Sequence, residues 1–261
     1  MPTRVAWHRA AVPLIVAVAF IAAWSLGIAL TGVSRALLPS PTAVLGAGLE
    51  LVEGGELARH VRVSALRLLI GFLLSVALAL PIAMLFARLR GLRAVLEPPL
   101  EFLRQVPPLA MMPLLILWLG IGEAQKVGII TLACFFPVFL GTLGGIAQCD
   151  RRLIEVGQVA GLSKGAILCR IVMPSALPST VVGLRIALGQ GWRALVGAEL
   201  VASSAGLGYM IEDAQNLART DIVIVGVLVI GTLGLASDWA FRRAIAATWP
   251  WVKVDGGDGD A

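Results

Sequence analysis

From Ala10 to Val33 the chain carries no charged side chain. A helix needs ~20 mostly apolar residues to cross the hydrocarbon core of a bilayer, and little else requires such a run. Further apolar runs follow at Leu68–Ala87, Val127–Cys149, Leu177–Ala202 and Ile222–Ser237. In hydrocarbon every backbone polar group must be satisfied within the chain, so only helices and closed barrels can span it. Runs of this length predict helices. The expectation is an all-α polytopic membrane protein forming one transmembrane domain over residues 1–261.

Charge supports lipid as the solvent. Charged residues make up 14% of the chain, against roughly 25% in soluble domains. The net charge is +5, but the basic residues sit in gaps between apolar runs. That is a pattern of membrane-surface loops and not of a nucleic-acid-binding face. The three cysteines, Cys134, Cys149 and Cys169, form no CxxC pair, and His8 and His60 are the two histidines. The spacing gives no metal site. His60 reads as a surface residue, and the tryptophans fall mostly near span ends, as interface anchors do.

The first apolar run follows Arg4 and Arg9 and is longer than the ~7–15 residues of a signal-peptide core, so it reads as a retained span. The third span is the irregular one. Prolines at 98, 99, 107, 108 and 113 preclude a straight helix before about Gly120. The sixth span ends near Arg242 and Arg243, and the tail 255–261 is expected to be disordered. With six spans both termini share one side. A cytoplasmic N-terminus puts Arg4, Arg9, Arg88, Arg90, Arg93, Arg151, Arg152, Lys164, Arg170, Arg242, Arg243 and Lys253 inside. It puts only Arg35, Arg59, Lys126 and Arg219 outside. This bias places both termini in the cytoplasm.

The segment EVGQVAGLSKGAILCRIVMP, Glu155 to Pro174, is then cytoplasmic. Glu155, Gly161 six residues on, Ile171 and Pro174 resemble the EAA signature of permease subunits of ATP-binding-cassette importers. Val156 and Gly157 stand where that signature has two alanines, and Met173 where it has leucine. The stretches LPSP, PPLAMMPLLILWLGIGE, FFPVFLGT, ALPSTVVGLRIALG, VGAELV and GLGYMIEDA extend the resemblance over about 38–245, to the taurine, sulfonate and nitrate class. One departure is Gly141, where the family often has asparagine.

The resemblance implies the type I importer permease fold, with six helices and a cytoplasmic coupling helix that docks on an ATPase subunit. Glu155, Val156, Gly157, Ala160, Gly161, Leu162 and Ser163 would make that contact. A negative charge suits a helix start, Gly161 permits a tight turn, and Pro174 could open the next span without an amide donor. The chain has no GxxxxGK[ST] phosphate loop. No cofactor is therefore expected in it, and ATP and Mg would belong to the partner. The implied assembly is two permease copies, two ATP-binding subunits and one extracytoplasmic binding protein in the bacterial inner membrane.

Arg185, Arg193 and Glu199 stand out inside the fifth apolar run. An intramembrane charge costs ~2.5–3.5 kcal/mol on insertion scales unless it is paired or hydrated. Arg185 and Arg193, eight residues apart, share a helix face. Two readings stay open: the arginines bond carbonyls or Glu199 to hold the bundle, or they line the path of an anionic solute. A secondary transporter or channel would more often carry mid-span carboxylates. A membrane enzyme would need a catalytic cluster, and His60 with nearby carboxylates does not make one.

Overall fold

The computed structural model describes residues 3–32, 34, 37–201 and 203–252; the tail at 255–261 lies outside these. Every regular element among the described residues is helical. Four stretches are long and apolar enough to cross a membrane: α3 (Glu56–Arg88), α6 (Glu123–Ala147), the continuous run Lys164–Glu199, and α11 (Thr220–Thr248). A fifth apolar stretch is a bent pair of helices. Its halves, Gly91–Gln105 within α4 (Arg90–Gln105) and Pro108–Leu119, meet at 97°. The second half is a 3-10 turn, Pro108–Met111, followed by α5 (Met112–Leu119). The expected first span falls on α1 (Thr3–Thr31), in which Val18–Leu30 is apolar helix.

The break sits at Pro107 and Pro108 because a residue before proline avoids the helical region. Val106 is extended, with φ −78° and ψ 121°. Pro98 and Pro99 do not break α4. They remove donors from the 94 and 95 carbonyls, and Ala94 and Val95 lie on an exposed surface, where other donors can replace them.

Small residues bring α3, α6 and α9 (Met173–Glu199) together. A Cβ on Gly141 would lie 2.9 Å from Gly183 Cα, and one on Gly145 would lie 2.7 Å from the Ala176 carbonyl. The α6 and α9 backbones therefore touch, as small-residue membrane interfaces allow. No asparagine side chain fits at position 141 in this crossing. Gly191 seats α9 on Leu68 and Cys134, whereas Gly189 meets open space. Around this contact Phe86, Ile130, Val138, Ala187 and Leu195 form the core, and Phe86 meets the Phe139 ring edge-on at 5.4 Å.

Two shorter helices lie at the end of the bundle where α3 begins: α2 (Pro41–Glu53), capped by Ser40, and α10 (Leu207–Asn216). At the opposite end, α7 (Arg151–Val159) and α8 (Lys164–Ile167) join α6 to α9. The fifth span starts earlier than Leu177. Helix is continuous from Lys164, and Leu168–Val172 is a π turn in which the Met173 amide donates to the Leu168 carbonyl. Pro174 therefore sits inside a helical run and does not open one. The wider turn before it loosens the ladder where proline removes a donor. Trp192 is also no interface anchor. It is buried, and its Nε1 donates to Ser237 Oγ at 2.9 Å.

Cys169 is exposed in the π turn, whereas Cys134 and Cys149 are buried. A membrane-impermeant maleimide should label Cys169 alone in inverted membrane vesicles and none of the three in intact cells. Labelling of Cys169 in intact cells would put α7 on the other side of the membrane.

Candidate functional site

The α7 segment is bounded sharply at both ends. Asp150 caps it, its carboxylate accepting from the Arg152 amide at 2.9 Å. The capping charge is therefore Asp150, while Glu155 sits at mid-helix and exposed. At the C-terminus Gly161 has φ +75°. The Leu162 amide donates to the Gly157 carbonyl at 3.0 Å and the Gly161 amide to the Gln158 carbonyl at 2.9 Å. This is a Schellman cap, closed by the apolar contact of Leu162. Ser163 then caps α8, its Oγ accepting from the Ala166 amide. A Cβ on Gly157 would lie 2.6 Å from Ile171 Cδ1, so glycine lets α7 lie against the π turn.

One side of α7 is left uncovered. Leu153, Val156 and Val159 are exposed, Val159 to 90%, beside exposed Ala160, Arg151, Arg152 and Glu155. A short rigid helix with an apolar ridge between charges is suited to seat in a groove of another protein.

Arg185 and Arg193 line one cavity of about 510 Å³ with Gln190 and Asp238. Arg185 Nε donates to Asp238 Oδ1 at 2.6 Å and its Nη2 to Oδ2 at 3.1 Å, and Arg242 approaches the same carboxylate. Arg193 is exposed and has no ion pair among the described residues. A second cavity of about 660 Å³ shares Val182, Ile186 and Gln190 with the first and adds Arg104, Gln148 and Ser179. Together they form a trough along α9, apolar over most of its lining with these polar side chains set into it. Such side chains do not stably face lipid, so this side of the bundle meets water or protein.

Glu199 belongs elsewhere. It is fully buried, and Arg67 Nη1 donates to it at 2.8 Å. Ser64 Oγ lies 2.8 Å from both of its carboxylate oxygens. The guanidinium also donates to the Ala205 carbonyl and, through Nε, to Glu123 at 2.6 Å. The first amides of α10 end in the same cluster. Gly206 donates to His60 Nδ1 (3.0 Å), Leu207 to Ser64 Oγ (2.8 Å) and Gly208 to Glu199 Oε2 (2.9 Å). The donors that a helix start leaves unpaired are thus taken by side chains of α3 and α9. His60 is buried here and not on the surface. Gly206, at φ +123°, is required because a Cβ would run into the Glu199 carboxylate.

Residues 57–247 match the sequence profile of the binding-protein-dependent transport system inner membrane component family. The chain belongs to this family. It is 37% identical over 235 residues to a Bacillus subtilis (strain 168) protein, SsuC, assigned to aliphatic sulfonate transport as a permease. That match covers 90% of this chain and 84% of the relative. It is 34% identical over 224 residues to the taurine transport system permease protein TauC of Escherichia coli (strain K12), covering 84% and 82% of the two chains. Among solved structures, a chain of the MetNI methionine ABC transporter in inward-facing conformations superposes with a TM-score of 0.58 at 17% identity. The superposition covers 72% of this chain and 95% of that one, and it establishes a shared fold.

In this inner-membrane transport component, the sequence singled out the α7 segment and both arginines as candidates but not the partners of Glu199. Ser64 and Arg67 lie on the polar start of α3, and their separation by three residues was the available signal. The histidine one turn earlier carried no signal of its own.

Removing one member of a buried charge pair leaves the other uncompensated, at about 3–5 kcal/mol. Arg67→Met should therefore lower the thermal midpoint of the purified protein markedly, read by tryptophan fluorescence. Arg67→Met combined with Glu199→Gln should recover part of that loss, because the two changes act on one contact.

Proposed function

We propose that this chain is the permease subunit of an ATP-binding-cassette importer carrying a small organic anion of the sulfonate or taurine class, with nitrate the smaller alternative. Two copies form the pathway, each contacted by one of two ATPase subunits. An extracytoplasmic binding protein delivers the solute, and both termini are cytoplasmic. ATP and Mg are bound and turned over on the partner subunits. The observation carrying this reading is the geometry of α7: a doubly capped helix that presents Leu153, Val156 and Val159 away from its own protein. The ridge has no intramolecular use, so a partner groove is its natural complement. The names of the sulfonate and taurine relatives support the solute class.

Within the trough the arginines take different roles. Arg185 shares the Asp238 carboxylate with Arg242 and ties α9 to α11. Arg193 keeps its charge available, two turns along the same face, and is the candidate contact for an anion in transit. Glu199 anchors the end of the same helix from the buried side.

Val159→Asp tests the coupling helix, because a 90% exposed side chain can change without disturbing the fold. Binding of the ATPase subunit should weaken by about tenfold or more, roughly 1.4 kcal/mol, with membrane insertion unaltered. Gly161→Asp should do the same through its left-handed backbone. Normal ATPase binding by both variants overturns the assignment.

For the pathway, Arg193→Lys should retain more sulfonate uptake than Arg193→Gln, with assembly unchanged in both. Arg185→Lys and Arg185→Gln should instead impair assembly alike. Full uptake by the Arg193→Gln variant removes any need for this charge.

A further inference from the structure

Between α1, α2 and α11 lies a cavity of about 570 Å³ that no part of the transport reading uses. Phe20 and Trp24 of α1, Val44 and Gly48 of α2, and Val225 and Leu228 of α11 form its walls. The volume falls within the ~300–1,000 Å³ of small-molecule sites. Gly48 stands on the wall, where an added Cβ would meet a Val225 methyl at an ordinary 3.7 Å. The Trp24 Nε1 atom is buried and has no hydrogen-bond partner. Indole groups at bilayer boundaries usually find one.

A second, polar pocket of about 320 Å³ adjoins the same two helices. Ser40, Ala43, Arg219 and Asp221 line it. Ser40, Val44 and Gly48 follow one another at intervals of four along α2, and Asp221 and Val225 do so along α11. Residues four apart share a helix face, so the polar pocket continues the apolar one along both walls. Arg219 pairs with Asp221 at 3.0 Å and with Glu50 at 3.4 Å. Glu50 is not part of the pocket lining; it stands beside Arg219 with its side chain 71% exposed, and counted with it the cluster has one cation against two carboxylates, a net charge of −1.

We propose that the two pockets hold one phospholipid with a primary-amine headgroup of the ethanolamine class. An acyl chain fills the cleft. The phosphate meets Arg219 and the Ser40 hydroxyl, and the ammonium donates to Glu50 and Asp221. An ester carbonyl supplies the acceptor for Trp24. The charge count selects the headgroup. A glycerol headgroup would bring a net negative lipid to the net negative cluster of Arg219, Asp221 and Glu50, and a quaternary ammonium could donate no hydrogen bond to the carboxylates.

The test uses the purified full chain in nanodiscs of equal phosphatidylethanolamine, phosphatidylglycerol and phosphatidylcholine, with adducts read by native mass spectrometry. One phosphatidylethanolamine per chain should be retained, preferred about tenfold over either competitor. Gly48→Phe should abolish that retention by filling the cleft. Because this variant could disturb packing, Glu50→Gln with Asp221→Asn gives an independent reading: the lipid should stay, but the headgroup preference should disappear. Retention without headgroup preference in the unaltered protein overturns the proposal. So does a Gly48→Phe variant that loses self-association while lipid retention is unchanged, which would assign the cleft to a second copy of the chain.

Discussion

The contact between Arg67 and Glu199 organises one whole end of this molecule. A buried carboxylate is tolerable only when its hydrogen-bonding capacity is filled, and here serine, guanidinium and a backbone amide fill it. Such a pair need not stabilise the fold more than packed hydrocarbon would. What it fixes is position. Glu199 ends α9, Arg67 belongs to α3, Glu123 opens α6, and the Gly208 amide lies in the first turn of α10. Four helices thereby meet at one charge cluster, and the turn from α9 to α10 is held by side chains distant in sequence.

The remaining packing is steric. The α6–α9 crossing depends on glycine at 141, 145 and 183, where added carbon would strike backbone. Lipid supplies no hydrophobic drive between helices, so close van der Waals approach matters more here than in a soluble core. The trough opens beside this crossing: Gly141 and Gly183 line it with Ser179 and Gln190, and Arg193 lies further along α9. Buried Glu199 and the open polar groups are thus sorted to different faces of one helix.

Much of this was legible in the sequence, because lipid imposes length and composition on anything crossing it. The long spans and a proline break before Gly120 follow from local rules; which prolines break the chain, and the start of α7 at Asp150 in place of Glu155, do not. Gly161 announced a turn that the structure realises as a Schellman cap, whereas Ser163, singled out only for a partner contact, also caps α8. Tertiary choices were not legible. Arg67 and Glu199 are 132 residues apart, and Asp238 lies 53 residues beyond Arg185, so no window of sequence holds either pair. His60 looked like a surface residue because a lone polar side chain near a helix start usually is one. Its burial depends on a glycine turn far downstream.

The π turn at Leu168–Val172 separates two requirements that one helix would otherwise have to meet together. Each α-helical residue advances the chain by about 100° around the axis, and a π turn accommodates one extra residue. Deleting a single residue there would restore α geometry and leave the helix on both sides of it in register. Deleting one elsewhere between Lys164 and the glycines of α9 would turn everything on the α7 side by roughly 100° about the α9 axis, against the packing of Ile154 and Ile167 on Ile146. The π turn is therefore the place where the link between the Val156–Val159 ridge and the packed core can change length without changing its heading.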